Sequence, residues 1–291
     1  MTNLTQQLKC KFDTDFSEFR AFEKKGWEAV ARNWHRHFET VSRQSIKPLL
    51  ENVGFTDTKN SRCKLLLDVA TGPGYGASKA VELGVNARGI DFSEAQIIQA
   101  KTLHPEIKFD VGDAEQLSYS NNEFDAVIIN FGLNHFSDPD RALKEALRVL
   151  KPGGRIAFTT WAKPPLSVGF ELVESAIFKC GNPDAFLPAG PNYYRFSDPV
   201  EAINTLKKVG FEAPKISIIP QIWQVDDGKQ MLEAIETGTV RAGALLRAQT
   251  QRAKKKIVSI VCNEAEKYRK KEFLDIPMPA VLASAVKITS R

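Results

Sequence analysis

Cysteine is scarce in this 291-residue chain: Cys10, Cys63, Cys180 and Cys262 lie far apart, with no Cys-x-x-Cys pair. That pattern supports neither a disulfide framework nor a cysteine-built zinc site. No apolar run approaches the length of a membrane span, so no membrane association is expected. The N-terminus lacks the apolar core of a signal peptide. A reduced, cytoplasmic protein is therefore the expectation. No metal is expected either, since His35 and His37 would face different sides of a helix. The formal charge of +5 permits acidic partners without demanding them. With 43% hydrophobic and 26% charged residues, the composition is that of an ordinary globular protein able to bury one elaborated core or two.

What is present centres on Lys64-Leu65-Leu66-Leu67-Asp68-Val69-Ala70-Thr71-Gly72-Pro73-Gly74-Tyr75-Gly76-Ala77. A short apolar run reads as a buried strand, an acid stands where it should end, and glycines follow before helix-forming sequence resumes. Glycine lets backbone approach a ligand at a tight strand-to-helix turn, and the helix behind it offers free N–H groups. Gly72-x-Gly74-x-x-Ala77 also fits the dinucleotide fingerprint. Asp68 argues against that ligand, because a carboxylate there would repel a pyrophosphate but suits an ammonium and a sulfonium.

Around this turn the chain alternates strand and helix. Strands are expected at 64–69, Val85–Ile90, Ile107–Val111, Phe124–Ile129 and Arg155–Trp161. Helices are expected over Ala77–Leu83, from an N-cap at Ser93 to Leu103, and over Arg141–Leu150, the last stopped by Pro152-Gly153-Gly154. Such alternation implies an α/β fold with a mostly parallel sheet covered on both faces. Ligands in such sheets bind beyond the carboxyl ends of the strands, where Asp68, Asp91, Asp113 and Asn130 would lie. Asp91 suits the two ribose hydroxyls of an adenosine, and Phe92 can lie against the adenine.

The acid and glycine turn resembles motif I of the class I S-adenosylmethionine (SAM) methyltransferases, with Ala70 at a position that is often glycine. Gly112-Asp113-Ala114-Glu115-Gln116-Leu117 followed by Phe124-Asp125-Ala126-Val127-Ile128 is similar to that family's adenine-binding segment. Arg148-Val149-Leu150-Lys151-Pro152-Gly153-Gly154 matches its approach to the fifth strand. The resemblance covers about residues 64 to 161 and points to the ubiquinone/menaquinone C-methyltransferase-like group acting on small molecules. It implies a Rossmann-like seven-stranded sheet with the last strand antiparallel. It also implies SAM as cofactor, held by Asp68, Ala70, Thr71, Gly72, Gly74, Asp91, Phe92, Asp113, Ala114, Asn130 and Phe131. His135, in the loop after the fourth strand, is a candidate base or acceptor-positioning group, although the plainer reading is that it packs the loop or hydrogen-bonds locally. Asn130-Phe131-Gly132-Leu133 lacks the Asn/Asp-Pro-Pro-aromatic motif of enzymes that methylate exocyclic amines of bases or glutamine amides.

Outside that core, Phe16 to Val53 is expected to be helical, with Trp27, Ala31, Trp34, Phe38 and Val41 on one apolar face. This helix can be plain core or a lid over the cofactor. Residues 1 to about 15 are polar and expected to be loosely held, and Gly54–Arg62 reads as a linker. After Pro164-Pro165 come helices at Val168–Cys180 and Pro199–Val209, and an irregular aromatic loop at Asn182–Ser197. An alternating strand is expected at Lys215–Val225, two or three helices at 228–272 and a strand at Pro279–Ile288. The division expected is a helical lid (1–60), a SAM-binding core (61–165) and a substrate cap with the closing strands (166–291). Trp34, Tyr193 and Arg241, with Thr239, are candidates to line an acceptor pocket suited to an apolar or aromatic small molecule. The basic runs Lys254-Lys255-Lys256 and Lys267, Arg269, Lys270, Lys271 leave RNA or protein as a second acceptor class, although interleaved acids favour a solvated surface. SAM binding without methyl transfer is a third reading. The oligomeric state is not legible.

Overall fold

The computed structural model describes residues 16–56, 63–185 and 187–288. The expectations for residues 1–15, most of the 54–62 linker and Phe186 lie outside them. Chain order runs α1 (Ser17–Ser42), α2 (Ile46–Asn52), β1 (Leu65–Val69), α3 (Tyr75–Glu82), β2 (Asn86–Asp91), α4 (Glu94–Leu103), β3 (Lys108–Val111), β4 (Phe124–Asn130), α5 (Pro139–Val149), β5 (Leu150–Trp161). There follow α6 (Val168–Cys180), α7 (Pro199–Val209), β6 (Phe211–Ile219), β7 (Ile222–Val225), α8 (Gly228–Gly238), α9 (Arg241–Arg247), α10 (Gln251–Ala265), β8 (Arg269–Lys270), β9 (Phe273–Pro277) and β10 (Ala280–Lys287).

Seven strands form one sheet in the order β3-β2-β1-β4-β5-β10-β6. β1 through β5 pair in parallel, and β10 lies antiparallel between β5 and β6. β1 is apolar throughout its first three residues because both of its faces are covered. Leu66 packs with Leu49 and Leu50 of α2 on one face, and Leu67 with Leu143 and Ala146 of α5 on the other. The strand order reverses between β1 and β4, which opens a crevice at their carboxyl ends. Ser93 caps α4 through Gln96 N, and Asp198 caps α7 ahead of its Pro199.

Three expectations need correction. The strand over 215–225 divides at Pro220, which has no N–H for a ladder: Phe211–Ile219 closes the main sheet and Ile222–Val225 enters a second sheet, β7-β9-β8. The helices expected as far as 272 end at 268: Arg269–Lys270 is a strand, paired with Phe273–Pro277, which alternates buried and exposed side chains and pairs with β7. β5 begins at Leu150, not Arg155, and absorbs Pro152-Gly153-Gly154 with a register shift opposite Phe124–Ala126.

The N-terminal helix and the residues after β5 share one core. Phe38 and Val41 of α1 pack in the same cluster as Trp161, Trp223, Met231 and Ile276. Trp223 Nε1 donates to the carbonyl of His37 at 3.0 Å. Gly26 lets the helix approach Val240 closely: a Cβ there would come within 2.4 Å of it. α1 is thereby held across the carboxyl edge of the sheet. Among the described residues no helix is long and apolar enough to cross a membrane.

Candidate functional site

The turn after β1 takes three left-handed residues in succession at alternate positions: Ala70 (φ +53°), Gly72 (+53°) and Gly74 (+86°). Ala70 adopts this region in spite of its Cβ, a strain typical of ligand-facing turns. Asp68 does not point outward. Its Oδ2 accepts from Thr71 Oγ1 at 2.8 Å and from Ala77 N–H at 2.9 Å, so it closes the first turn of α3 from inside. Gly76 makes room for it, since a Cβ there would stand 2.6 Å from that oxygen. Burial pushes the Asp68 carboxyl up to about 7. The sequence places Asp68, Thr71 and Gly74 against a ligand; the structure puts them behind the turn, with Gly74 packed on Phe109 and His104.

The remaining expected positions converge on one cavity at the crevice. Its wall includes Ala70, Gly72, Asp91, Phe92, Asp113, Ala114, Asn130, Phe131, Trp34 and His135. Asp91 accepts from Gly72 N–H through Oδ2 and from Ser93 N–H through Oδ1, each at 3.0 Å. These bonds fix its carboxylate at the tip of β2 while each oxygen keeps a further lone pair. Burial pushes its pKa up to about 6. Asp113 Oδ1 accepts from Glu115 N–H at 2.9 Å. Asn130 is more committed than the sequence suggests: Oδ1 accepts from Ser45 Oγ and Thr159 Oγ1, and Nδ2 donates to the Ser42 carbonyl. It ties the end of α1 to β4. Phe131, left-handed at φ +58°, stacks on Trp161 with ring centroids 4.0 Å apart.

α1 reaches the loops after each of the strands β1 to β4; of the residues that do so, Arg20, Glu23 and Glu28 are absent from the sequence reading, and His35 enters it only as an excluded metal ligand. Arg20 forms an ion pair with Asp113 and lies 3.5 Å from Glu115. Glu23, fully buried, holds His135 Nδ1 at 2.9 Å through Oε2. The carboxylate of Glu28 accepts from the N–H groups of Glu94 and Ala95 at the start of α4. His35 Nδ1 and the Tyr75 hydroxyl are 3.0 Å apart. Arg20 and Glu23 continue the stripe of Trp27, Ala31 and Trp34 by helical spacing. A charged residue on an otherwise apolar helix face was the available signal.

A second cavity, of about 240 Å³, lies beyond the first and shares Trp27, Trp34 and His135 with it. Trp161, Phe170, Tyr193, Thr239 and Arg241 also line it. Thr239 spends its hydroxyl locally, donating to the Ile235 carbonyl and accepting from Gly243 N–H. The basic runs of α10 and its exit are partly neutralised by neighbours: Lys254 pairs with Glu236, Lys267 with Glu264 and Arg269 with Glu266.

Residues 67–158 match the methyltransferase domain family. A demethylmenaquinone methyltransferase of Streptomyces avermitilis is 32% identical over 156 residues, which are 50% of this chain and 67% of that protein. The chain belongs to the class I methyltransferase family. The demethylmenaquinone methyltransferase of Renibacterium salmoninarum is 39% identical over 99 residues, 34% of this chain and 42% of the relative. Overall this methyltransferase-family chain spans about half the length of the curated relatives it matches. Among solved structures, phosphoethanolamine N-methyltransferase 2 of Haemonchus contortus in complex with S-adenosyl-L-methionine superposes with a TM-score of 0.56 at 20% identity. That match covers 93% of this chain and 60% of the other, and at such identity it shows the shared fold.

Proposed function

We propose that this chain transfers a methyl group from SAM to a small acceptor of apolar or aromatic character. Two features of the first cavity fit an adenosyl ligand. Gln96 lines it, and the buried Oε1 of Gln96 has no partner among the described residues. Above Gly72 there is open space, the nearest atom to a Cβ built there being 3.9 Å away. Asp91 would accept from the ribose hydroxyls, Asp113 and the Ala114 backbone would meet the adenine edge, and Phe92 its face. Ala70, Gly72 and Phe131 would complete the floor. SAM brings the methyl group on a sulfonium that is already activated for displacement.

The chain's own part is to hold the acceptor in line and to take its proton. The observation that carries this reading is the Glu23–His135 pair on the wall common to both cavities. An ionised Glu23 at 2.9 Å only accepts, so Nδ1 is the donor of this pair, and in the neutral imidazole Nε2 would keep the lone pair. Glu23 would steady the imidazolium formed when Nε2 removes a hydroxyl or acidic ring proton. Bringing the reactants together supplies much of the remaining acceleration. The aromatic second cavity suits a ring-bearing acceptor.

The test is incubation with methyl-labelled SAM and a host metabolite extract, followed by mass spectrometry of the labelled product. Label in a small aromatic molecule is expected. Label in RNA or protein, or SAM binding with no labelled product, would replace the reading by one of its two alternatives.

A further inference from the structure

The second cavity contains a guanidinium with no ion-pair partner among the described residues. Arg241 stands at the first position of α9, and its guanidinium carbon lies 5.2 Å from the ring centroid of Phe19 and 5.9 Å from that of Tyr193. Its Nη1 is buried and has no hydrogen-bond partner, and no carboxylate lies within ion-pair distance among the described residues. Two carboxylates lie near: Glu174, which also lines the cavity, accepts from the Tyr194 hydroxyl at 2.8 Å, and Glu23 holds His135 through Oε2, its buried Oε1 having no partner among the described residues. Ring faces attract a guanidinium but do not accept its planar pairs of N–H bonds. Arg241 is half-buried, and leaving its buried Nη1 in this condition is costly unless something entering the cavity completes it.

Position indicates what that something is. Arg241 lines the second cavity alone, whereas His135 lines both. Tyr193 stands between them, its ring 5.7 Å from the imidazole of His135. We infer that the acceptor is an aromatic carboxylate, whose acid group pairs with Arg241 while its reacting atom lies at the opposite end, against His135. This rests on the methyl-transfer reading for the reacting end only; the carboxylate site stands on the cavity itself. A planar carboxylate matches the guanidinium fork with two parallel bonds. Walls of Trp, Phe and Tyr take the ring, and a cavity of about 240 Å³ is small among ligand sites, which favours a compact acid over a long-chained molecule. Arg241 is then a specificity residue: it orients the acceptor and rejects neutral analogues.

The experiment measures binding of 4-hydroxycinnamate and of its methyl ester by calorimetry, together with one- and two-ring aryl carboxylates and their esters. Each is titrated with and without S-adenosylhomocysteine. The acid should bind the wild-type protein roughly tenfold or more tightly than the ester, the factor carried by one charge-assisted bond. Arg241→Gln should erase that preference, and Arg241→Lys should restore part of it by returning the charge without the fork. Equal binding of acid and ester, no binding by any carboxylate of the series, or a preference that survives Arg241→Gln would overturn the inference. SAM titration of the same three proteins keeps the two claims apart. Absent SAM binding would remove the methyl-transfer reading and leave the carboxylate result to stand or fall alone.

Discussion

The two cavities that meet at His135 satisfy their charges in opposite ways. In the first, Asp91 accepts from two backbone N–H groups and Asp113 from one, so the acids are positioned before any ligand arrives. In the second, Arg241 lies between aromatic rings with a buried nitrogen unbonded. The first is built mainly on the strand tips between Ala70 and Ser137, with Arg20, Trp27 and Trp34 of α1 across it. The second is enclosed by α1, α6, the 182–197 loop and α8–α9, elements that meet only on folding. On the proposed reading, the strand tips would set the cofactor's geometry and side chains of the cap the choice of acceptor.

The sharpest way to break this division is at the shared wall. His135→Ala should lower turnover of the labelled acceptor by about 10²–10⁴-fold while leaving SAM affinity nearly unchanged. Glu23→Gln should act in the same direction, with a shifted pH–rate profile, because a neutral amide steadies the imidazolium less well. A wild-type rate in either variant would remove the base assignment.

Next in size is Asp91→Ala, which should weaken SAM binding by roughly 100-fold, since two hydroxyls lose a charged acceptor. Calorimetry decides it, and unchanged affinity would place the ribose elsewhere. The same carboxylate gives two pH trends of opposite sign. Donors on a ligand favour its ionised form, so SAM affinity should rise with pH through about 6 and then level; Asp91→Asn should flatten that rise. Stability without ligand should run the other way. The folded pKa lies above that of the unfolded chain, so the folded state holds the extra proton and stability falls as pH rises from about 4 to about 6. Thermal melts from pH 4 to 7 should therefore show Asp91→Asn gaining on the wild type. A difference independent of pH would contradict the raised pKa.

The smallest expected effect tests strain in the cradle. Ala70→Gly removes a Cβ from a left-handed residue at the cost of a freer unfolded chain, so a gain of about 0.5 kcal/mol in chemical denaturation is expected. A loss of more than that would mean that the Ala70 methyl is valued for packing beside Gly132, where a Cβ would sit 2.7 Å from it.

Much of the core was legible because its signals are local. A strand buried on both faces must read as Leu65-Leu66-Leu67, Ser93 caps the helix that follows it, and Asp198-Pro199 opens α7. The limits of local reading appear at Pro220, where alternation continued but the missing N–H split the strand between two sheets. They appear again at Arg269–Lys270, inside the stretch expected to be helical, where pairing with β9 decided for strand. Asp68 shows a subtler limit: its position at a strand tip was readable, but its inward rotamer depended on Gly76 leaving space for it.

The sequence by itself determined the α/β core, its family and the acids at the strand ends, because hydrophobic period, caps and glycine turns act over a few residues. Only the tertiary structure decided that Glu23 reaches His135 across 112 positions, that Arg20 meets Asp113, and that Arg241 has no ion-pair partner among the described residues. Those pairings are set by how α1 and the cap pack over the sheet, and a packed side chain's partner leaves no local trace in the chain that carries it.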